Sequence, residues 1–320
     1  MKKIIILLIV LLIFLGFTPY DELNNLAVVD TLGIEFKDNK YSLYLNVIND
    51  DNKVYNVKGD SLGEVFLKAK NIDNKKTYYN HLEVVVLNTN IIDNKTLNFF
   101  KDEFTAIDYL VLGTEDSLEE LFKNYHKRND YKSFINKERN ESASIINVTF
   151  KEFLSSSLDD IKDASIPLIS YKNNLRSEGI YIPSSKIILG RSLARANYLI
   201  NNKIDAFNTK VQLNNDYYEV NVYDLKPRIS YKNNTINIKV EGKIDSPDSD
   251  DLTELKKIVI KDLKDNIFEL VNNERKNNYN ISNVINYIYL KTRNANYSTY
   301  NKADISININ LKEEDKNNYG

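Results

Sequence analysis

The chain has 320 residues, no cysteine, a hydrophobic fraction of 42% and a formal charge of −2 at pH 7. This length predicts two or three domains, and the hydrophobic fraction predicts that they fold. Basic residues are interleaved with acidic ones, which argues against nucleic acid as a partner. The lack of cysteine excludes disulfides, thiolate metal sites and thiol nucleophiles.

The first 20 residues have the pattern of an export signal or a membrane anchor. Lys2 and Lys3 precede an unbroken apolar run from Ile4 to Phe17, which is the order of the basic and hydrophobic regions of a signal peptide. As a helix this run spans roughly 21 Å, less than the roughly 30 Å hydrocarbon core of a bilayer. No small-x-small cleavage pattern follows it. Two alternatives therefore stay open, a leader that is cut off and a membrane anchor that is retained.

Residues 21–140 are predicted to form an N-terminal α/β domain. A serine followed three residues later by glutamate predicts helix starts at Ser61 and Ser117. The continuous apolar centre of 78–88 is typical of a strand that is covered on both faces. The other predicted elements are strands over 27–36, 41–48 and 109–113, a helix from 99 to 104 and a charged surface excursion over 124–142.

Two further domains are predicted, a small middle domain over 141–205 and a C-terminal α+β domain over 206–320. The middle domain is expected to contain a helix over 145–158, an extended stretch over 166–169 and a small sheet from 178–182 and 186–190. In the C-terminal domain, apolar residues at helical spacing predict a long helix from Asp251 up to Asn272-Asn273. Strands are predicted over 218–223, 235–244 and 304–311, a second helix over 281–290, and Pro227 between two of the strands.

No pattern for catalysis, a cofactor or a metal emerges, so no catalytic, cofactor-binding or metal-binding residue is predicted. The two histidines, His81 and His126, have no second histidine at zinc-ligand spacing. Paired aspartates could serve glycoside hydrolysis, but such pairs in loops and at helix N-termini more often bind backbone N–H groups. The pairs are Asp50-Asp51, Asp159-Asp160 and Asp250-Asp251, and calcium at 246–251 is disfavoured because the loop lacks the EF-hand glycine and glutamate.

Three segments resemble the Ger(x)C family, the C subunits of bacterial spore germinant receptors. Residues 22–35, ELNNLAVVDTLGIE, are similar to the family's E-L-N opening, residues 80–87 to its H-L-x-V segment, and residues 166–169 with 177–182 to its P-x-hydrophobic and glycine-hydrophobic stretches. The resemblance implies a multi-domain α+β ectodomain of mixed sheets with covering helices. It also implies a non-enzymatic protein on the outer face of the spore inner membrane, with the A and B membrane subunits as partners.

The sequence departs from the family at the lipidation position. Family members carry a lipid-modified cysteine five residues before the glutamate of E-L-N, and Phe17 occupies that position here. Lipid attachment at Phe17 is impossible, so Ile4 to Phe17 is expected to act as the membrane anchor. Residues 283–287 also differ from the aspartate and glycines that the family often has there. An exported protein that binds a solute or cell-wall polymer remains the alternative, and binding of a small-molecule germinant stays open.

Overall fold

The computed structural model describes residues 25–103, 107–247, 251–293 and 297–313. The expected anchor from Ile4 to Phe17, including the lipidation position at Phe17, lies outside the described residues. Two mixed β-sheets with helices packed on them make up the described chain, which confirms the α+β class of mixed sheets with covering helices. No helix within these ranges is long and apolar enough to cross a bilayer.

The larger sheet has ten strands, eight of them in the order β10-β9-β8-β7-β6-β1-β2-β3. Its centre is parallel, with β6 between β1 and β7, and every residue of β6 is buried. Such burial on both faces explains the unbroken apolar run of this strand. The strands are β1 (Leu26–Lys37), β2 (Lys40–Val47), β3 (Lys53–Gly59), β4 (Asn71–Ile72), β5 (Lys75–Tyr78), β6 (Val84–Asn88), β7 (Leu110–Thr114), β8 (Ile166–Lys172), β9 (Asn174–Ile182) and β10 (Ile187–Leu189).

Five helices accompany this sheet within the described ranges, and two of them begin directly after Ser61 and Ser117, as the sequence predicts, although the Ser117 side chain makes no capping hydrogen bond. Ser61 accepts a hydrogen bond from the backbone N of Glu64, and Thr149 forms a reciprocal capping box with Glu152. The predicted helix over 145–158 therefore starts only after Thr149. The helices are α1 (Leu62–Lys68), α2 (Asn94–Glu103), α3 (Leu118–Asn124), α4 (Arg128–Glu141) and α5 (Phe150–Ser157), and a short 3₁₀ turn covers Thr89–Ile91.

The prediction of a surface excursion over 124–142 was wrong, because most of this segment forms α4. Tyr131 and Ile135 lie four residues apart on one face of α4, and both are fully buried. Two large side chains at this spacing are enough to attach an otherwise charged helix to a core. The excess of charged residues concealed this pattern in the sequence.

The strands of residues 166–189 belong to the large sheet. β8 pairs with β7 in parallel, and β9 and β10 continue the sheet antiparallel. The predicted pairing of 178–182 with 186–190 is confirmed by β9 and β10, but these strands extend the large sheet beyond β8 and do not form a small sheet of their own. The division into domains at residues 20, 140 and 205 stays a prediction.

The second sheet has four strands in the order β11-β12-β13-β14. Pro227 was expected between strands, but it lies inside β12, opposite Val240. β11 pairs with β12 only up to Val222, so the proline faces no partner on that side and its missing N–H group leaves no ladder bond unmade. The strands are β11 (Phe207–Leu213), β12 (Asp216–Lys232), β13 (Thr235–Asp245) and β14 (Asp304–Glu313).

A long helix packs on this second sheet. Asp251 caps it by accepting a hydrogen bond from the backbone N of Glu254, and Asn278 ends it in the left-handed region with φ of 52°. The next helix begins three residues later than predicted, because Asn283 has a positive φ of 62°. The helices of this part are α6 (Arg191–Ile200), α7 (Leu252–Asn277), α8 (Val284–Thr292) and α9 (Tyr297–Lys302). The apolar stripe of α7 comprises Leu255, Val259, Leu263, Ile267 and Leu270, all buried.

Candidate functional site

The end of the E-L-N segment holds a helix against the large sheet. Glu35 on β1 is 4% exposed. It accepts hydrogen bonds of 2.9 Å from the hydroxyl of Tyr44 and from the backbone N of Leu118, the first residue of α3. A helix leaves its first N–H groups without partners inside the helix, and a carboxylate there also interacts favourably with the helix dipole. Glu35 therefore fixes where α3 begins.

Gly33, two residues earlier on β1, allows α3 to lie close to the sheet. A Cβ atom at this position would come within 2.7 Å of Phe122 Cζ and 3.2 Å of Leu118 Cδ1. Both of these α3 side chains are buried. The glycine is therefore required by the close approach of helix and strand.

A charged cluster at the other end of β1 attaches α4. Asp30 is 2% exposed and accepts a hydrogen bond of 2.7 Å from Asn46 Nδ2. Glu83 forms ion pairs with Arg128 and Lys132 of α4. Partial burial raises the pKa of Glu83, but the two cations outweigh it and hold the pKa below its usual range. This cluster includes the glutamate of the H-L-E segment that resembles the family.

The loop before β8 and the loop after α7 meet in a reciprocal polar contact. Asp163 Oδ2 accepts a hydrogen bond of 2.7 Å from the backbone N of Asn280, and the backbone N of Asp163 donates to Asn280 O at 2.9 Å. Asn280 Nδ2 also donates to Ile161 O at 2.8 Å, and Ser184 Oγ donates to Asp163 Oδ1 at 2.6 Å. These bonds join the chain that leads into the large sheet to the chain that follows the long helix.

A second buried carboxylate lies next to this contact. Glu274, near the end of α7, is fully buried and accepts four hydrogen bonds. The donors are the backbone N of Ile281 at 2.8 Å, the backbone N of Ser282 at 2.7 Å, Ser282 Oγ at 2.6 Å and the Tyr300 hydroxyl at 2.6 Å. Burial raises the pKa of Glu274 to about 7, although the four donors favour the charged form. This carboxyl group therefore changes its charge near neutral pH.

The residues singled out in the sequence lie apart from these contacts or play local roles. His81 is exposed beside the ring of Tyr78, and His126 lies half-buried between α3 and α4. Asp50 accepts a hydrogen bond from the Tyr55 hydroxyl, Asp159 accepts from two backbone N–H groups, and Asp251 caps α7. Asp250 lies outside the described residues. Within the described ranges, no three His, Asp or Glu side chains converge as metal ligands.

Sequence reasoning missed Glu274 and Asp163. A signal for Glu274 existed, because it continues the spacing of Ile267, Leu270 and Val271 on the buried stripe of α7. A glutamate on a buried stripe either reaches solvent because the helix ends nearby, or is buried and accepts hydrogen bonds from neighbouring donors. Asp163 gave no comparable signal, since its partner Asn280 is more than one hundred residues away in the chain.

Three comparisons relate the chain to known proteins. Residues 19–171 match the family of the spore germination protein N-terminal domain. Spore germination protein KC of Bacillus subtilis (strain 168) is 24% identical over 142 residues, which is 37% of this chain and 35% of that protein. The aligned segment thus spans about a third of that relative. The crystal structure of the GerBC protein superposes with a TM-score of 0.55 at 11% identity, covering 89% of this chain and 97% of that chain, and this likeness concerns the fold alone.

Proposed function

We propose that this chain is a member of the Ger(x)C family of spore germination proteins and acts as the non-enzymatic C subunit of a nutrient germinant receptor. The match of residues 19–171 to the germination N-terminal domain carries this proposal. Gly33 and Glu35 of the E-L-N segment support it, because they make the helix contacts that build this domain. Fold-level likeness to GerBC extends beyond the matched residues into the second sheet.

In this proposal the apolar run from Ile4 to Phe17 attaches the protein to the spore inner membrane. Phe17 stands at the position where family members are lipidated, so the apolar segment itself replaces the lipid as anchor. Lys2 and Lys3 precede the run, as expected for a segment that stays with its positive end in the cytoplasm. The folded part then lies on the extracytoplasmic face, beside the A and B membrane subunits.

The C subunit is proposed to act as a scaffold for receptor assembly and signalling. Glu35, Asp163 and Glu274 each bind backbone N–H groups of a segment that is distant in the chain or follows a helix end. Buried polar contacts whose partners are satisfied favour one arrangement of the elements they join. A protein held in one arrangement presents a constant surface to its partners, which is what assembly requires.

Deletion and complementation in the spore-forming host test this function. We expect loss of the gene to slow nutrient-triggered germination, and the wild-type gene to restore it. A variant with Leu8→Arg and Leu12→Arg should fail to restore it, because each Arg near the centre of a membrane helix costs about 2.5–3.5 kcal/mol on insertion scales. Leu67→Arg is the matched control, since Leu67 is 63% exposed in the folded part.

The same strains separate this function from the alternative of an exported solute- or wall-binding protein. Unchanged germination after deletion, in a strain without a paralogue, would contradict the receptor role. Full rescue by the doubly substituted anchor would contradict membrane attachment through Ile4 to Phe17. Release of that protein in soluble form together with full rescue would favour the exported binding protein.

A further inference from the structure

A small cavity lies between the elements that connect the two sheets. It is bordered by α5 and the loop before β8 on one side, and by the end of α6 and Ile281 on the other. Its volume of about 70 Å³ accommodates a small ligand or a few water molecules. The side chains that matter below are Glu152, Lys162, Asp163, Tyr198 and Lys203, all of which line it.

The two carboxylates at the cavity already have donors. Glu152 pairs with Lys203 Nζ at 3.1 Å and accepts a hydrogen bond of 3.1 Å from the backbone N of Thr149. Asp163 accepts hydrogen bonds from Ser184 and Asn280. The acidic groups of the lining are therefore bound to other partners.

Two residues of the lining, Lys162 and Tyr198, carry hydrogen-bond donors that are left over. The Tyr198 side chain is 3% exposed, and its buried hydroxyl has no partner among the described residues. The ammonium of the half-buried Lys162 forms no hydrogen bond or ion pair within those residues. An unpaired buried donor costs about 1–3 kcal/mol, and an unpaired charge costs more.

The electrostatic surroundings of Lys162 would favour an added negative charge. Burial lowers the pKa of Lys162, and the positive charge of Lys203 lowers it further, against smaller opposite effects of Asp159 and Glu152. Burial raises the pKa of the Tyr198 hydroxyl, which therefore stays protonated and able to donate. An anion in the cavity would satisfy both donors and offset the repulsion between the two lysines.

We propose that this cavity binds a small oxyanion, a phosphate or a carboxylate, held by the ammonium of Lys162 and the hydroxyl of Tyr198. The lining comes from both sides of the junction, so the bound anion links α5 and the loop before β8 to α6 and the loop after α7. Binding then stabilises the junction itself. The inference is independent of the proposed receptor role, because it concerns only this cavity.

Titration of the purified full-length protein tests the site. Thermal unfolding and calorimetry would be followed with potassium phosphate and with potassium acetate, each against potassium chloride at the same ionic strength. We expect a saturable rise in Tm and a 1:1 heat of binding with one of the two anions. Saturation with phosphate alone assigns a phosphoryl ligand, and saturation with acetate alone assigns a carboxylate.

Variants locate the binding. Lys162→Met and Tyr198→Phe should each abolish the saturable shift, whereas Lys162→Arg, which keeps the charge, should retain it. Without anion, Lys162→Met should unfold at the same or a higher temperature than the wild type, because it removes an unpaired cation. Lys257→Met and Tyr279→Phe are matched controls, since Lys257 is exposed on α7 and the buried Tyr279 hydroxyl, also without a partner in the described chain, is not in the lining.

Three results would overturn the inference. One is the absence of any saturable shift with either anion in the wild type, which would leave a cavity that holds only water. Another is an equal shift in the Lys162→Met variant and in the wild type. The third is an equal loss of the shift in the control variants, which would show that the effect belongs to overall stability and not to the cavity.

Discussion

The N-terminal and C-terminal parts of the molecule each bury a carboxylate, but they use it differently. Glu35 accepts two hydrogen bonds, and one of them fixes the start of α3 on the large sheet. Glu274 accepts four, all from residues that follow it in the chain, and gathers the turn after α7 against α9. The first carboxylate joins a strand to a helix that is distant in sequence, whereas the second closes the end of its own helix.

This difference has a consequence for stability. Glu274 is fully buried and its pKa is raised to about 7, so the C-terminal part carries a titration near neutral pH. In the N-terminal part, the helix that Glu35 binds also lies so close to the strand that a side chain at position 33 would clash with it. We therefore expect the stability of the C-terminal network to depend on the charge of Glu274 and on pH. The stability of the N-terminal contact should depend on the volume of the side chain at position 33.

The largest effect is expected from Glu274→Ala. It leaves four buried donors without their acceptor, and each such donor costs about 1–3 kcal/mol, so the free energy of unfolding should fall by at least about 3 kcal/mol. Urea denaturation followed by circular dichroism measures this. Glu269→Ala on the exposed face of the same helix should change it by less than about 0.5 kcal/mol. Equal effects of the two variants would contradict the role of the Glu274 network.

The next effect is the pH dependence of stability. Glu274 has a pKa of about 7 in the folded protein against 4.5 as the ordinary value, so between these values the folded state binds more protons than the unfolded state. Its contribution to the free energy of unfolding is complete below about pH 4.5 and is lost as pH rises through about 7. The loss amounts to at most about 3 kcal/mol.

Glu274→Gln should remove this contribution, because a glutamine accepts from the two backbone N–H groups and does not titrate. Its amide can donate to Ser282 and Tyr300, whose hydroxyls can turn to accept. Plots of the free energy of unfolding against pH should therefore differ in slope between the wild type and the variant from pH 5 to 8. Parallel curves would show that Glu274 does not titrate in this range.

A smaller effect is expected from Gly33→Ala. The added methyl group meets the buried ring of Phe122, and overpacking of this kind costs about 1–3 kcal/mol. Gly63→Ala is the matched control, because Gly63 lies within α1 with no atom near its missing Cβ. That variant should gain about 0.5–1 kcal/mol from helix propensity. A stabilising Gly33→Ala would contradict the close approach of α3.

The smallest expected difference separates Tyr44→Phe from Tyr300→Phe. Tyr44→Phe removes one of the two donors to Glu35, and Tyr300→Phe removes one of the four donors to Glu274. Hydrogen bonds to charged groups contribute about 1.5–3 kcal/mol, so each variant should lose on that order. Only Tyr300→Phe should also raise the midpoint of the pH dependence, because it removes a donor to the carboxylate of Glu274. Equal pH profiles would contradict this distinction.

Local patterns in the sequence predicted the elements whose packing is local. The capping residues Ser61 and Asp251 start helices where the pattern places them, and the buried run of β6 forms a central strand. Helix α4 was missed because two buried side chains hold a mostly charged segment. Pro227 was misplaced because its tolerance depends on β11 pairing with β12 only as far as Val222, which is a property of the sheet and not of the proline.

The candidate sites divide in the same way. Glu35 lies in the segment that resembles the Ger(x)C opening, so the sequence drew attention to it, although its hydrogen bond to Leu118 spans 83 residues. The junction of Asp163 with Asn280 and the cavity at Lys162 arise only when distant segments meet. Periodicity in the sequence does not show that these two loops meet, because neither loop forms a helix or a strand.

Purification of the tagged protein from spore inner membranes tests the central claim most directly. Mass spectrometry would identify both the co-purified proteins and the N-terminus of the chain. The account predicts recovery of A- and B-type membrane subunits together with a chain that retains Lys2, Lys3 and the run from Ile4 to Phe17. Recovery of a soluble, trimmed chain without these subunits would contradict it and would favour an exported binding protein.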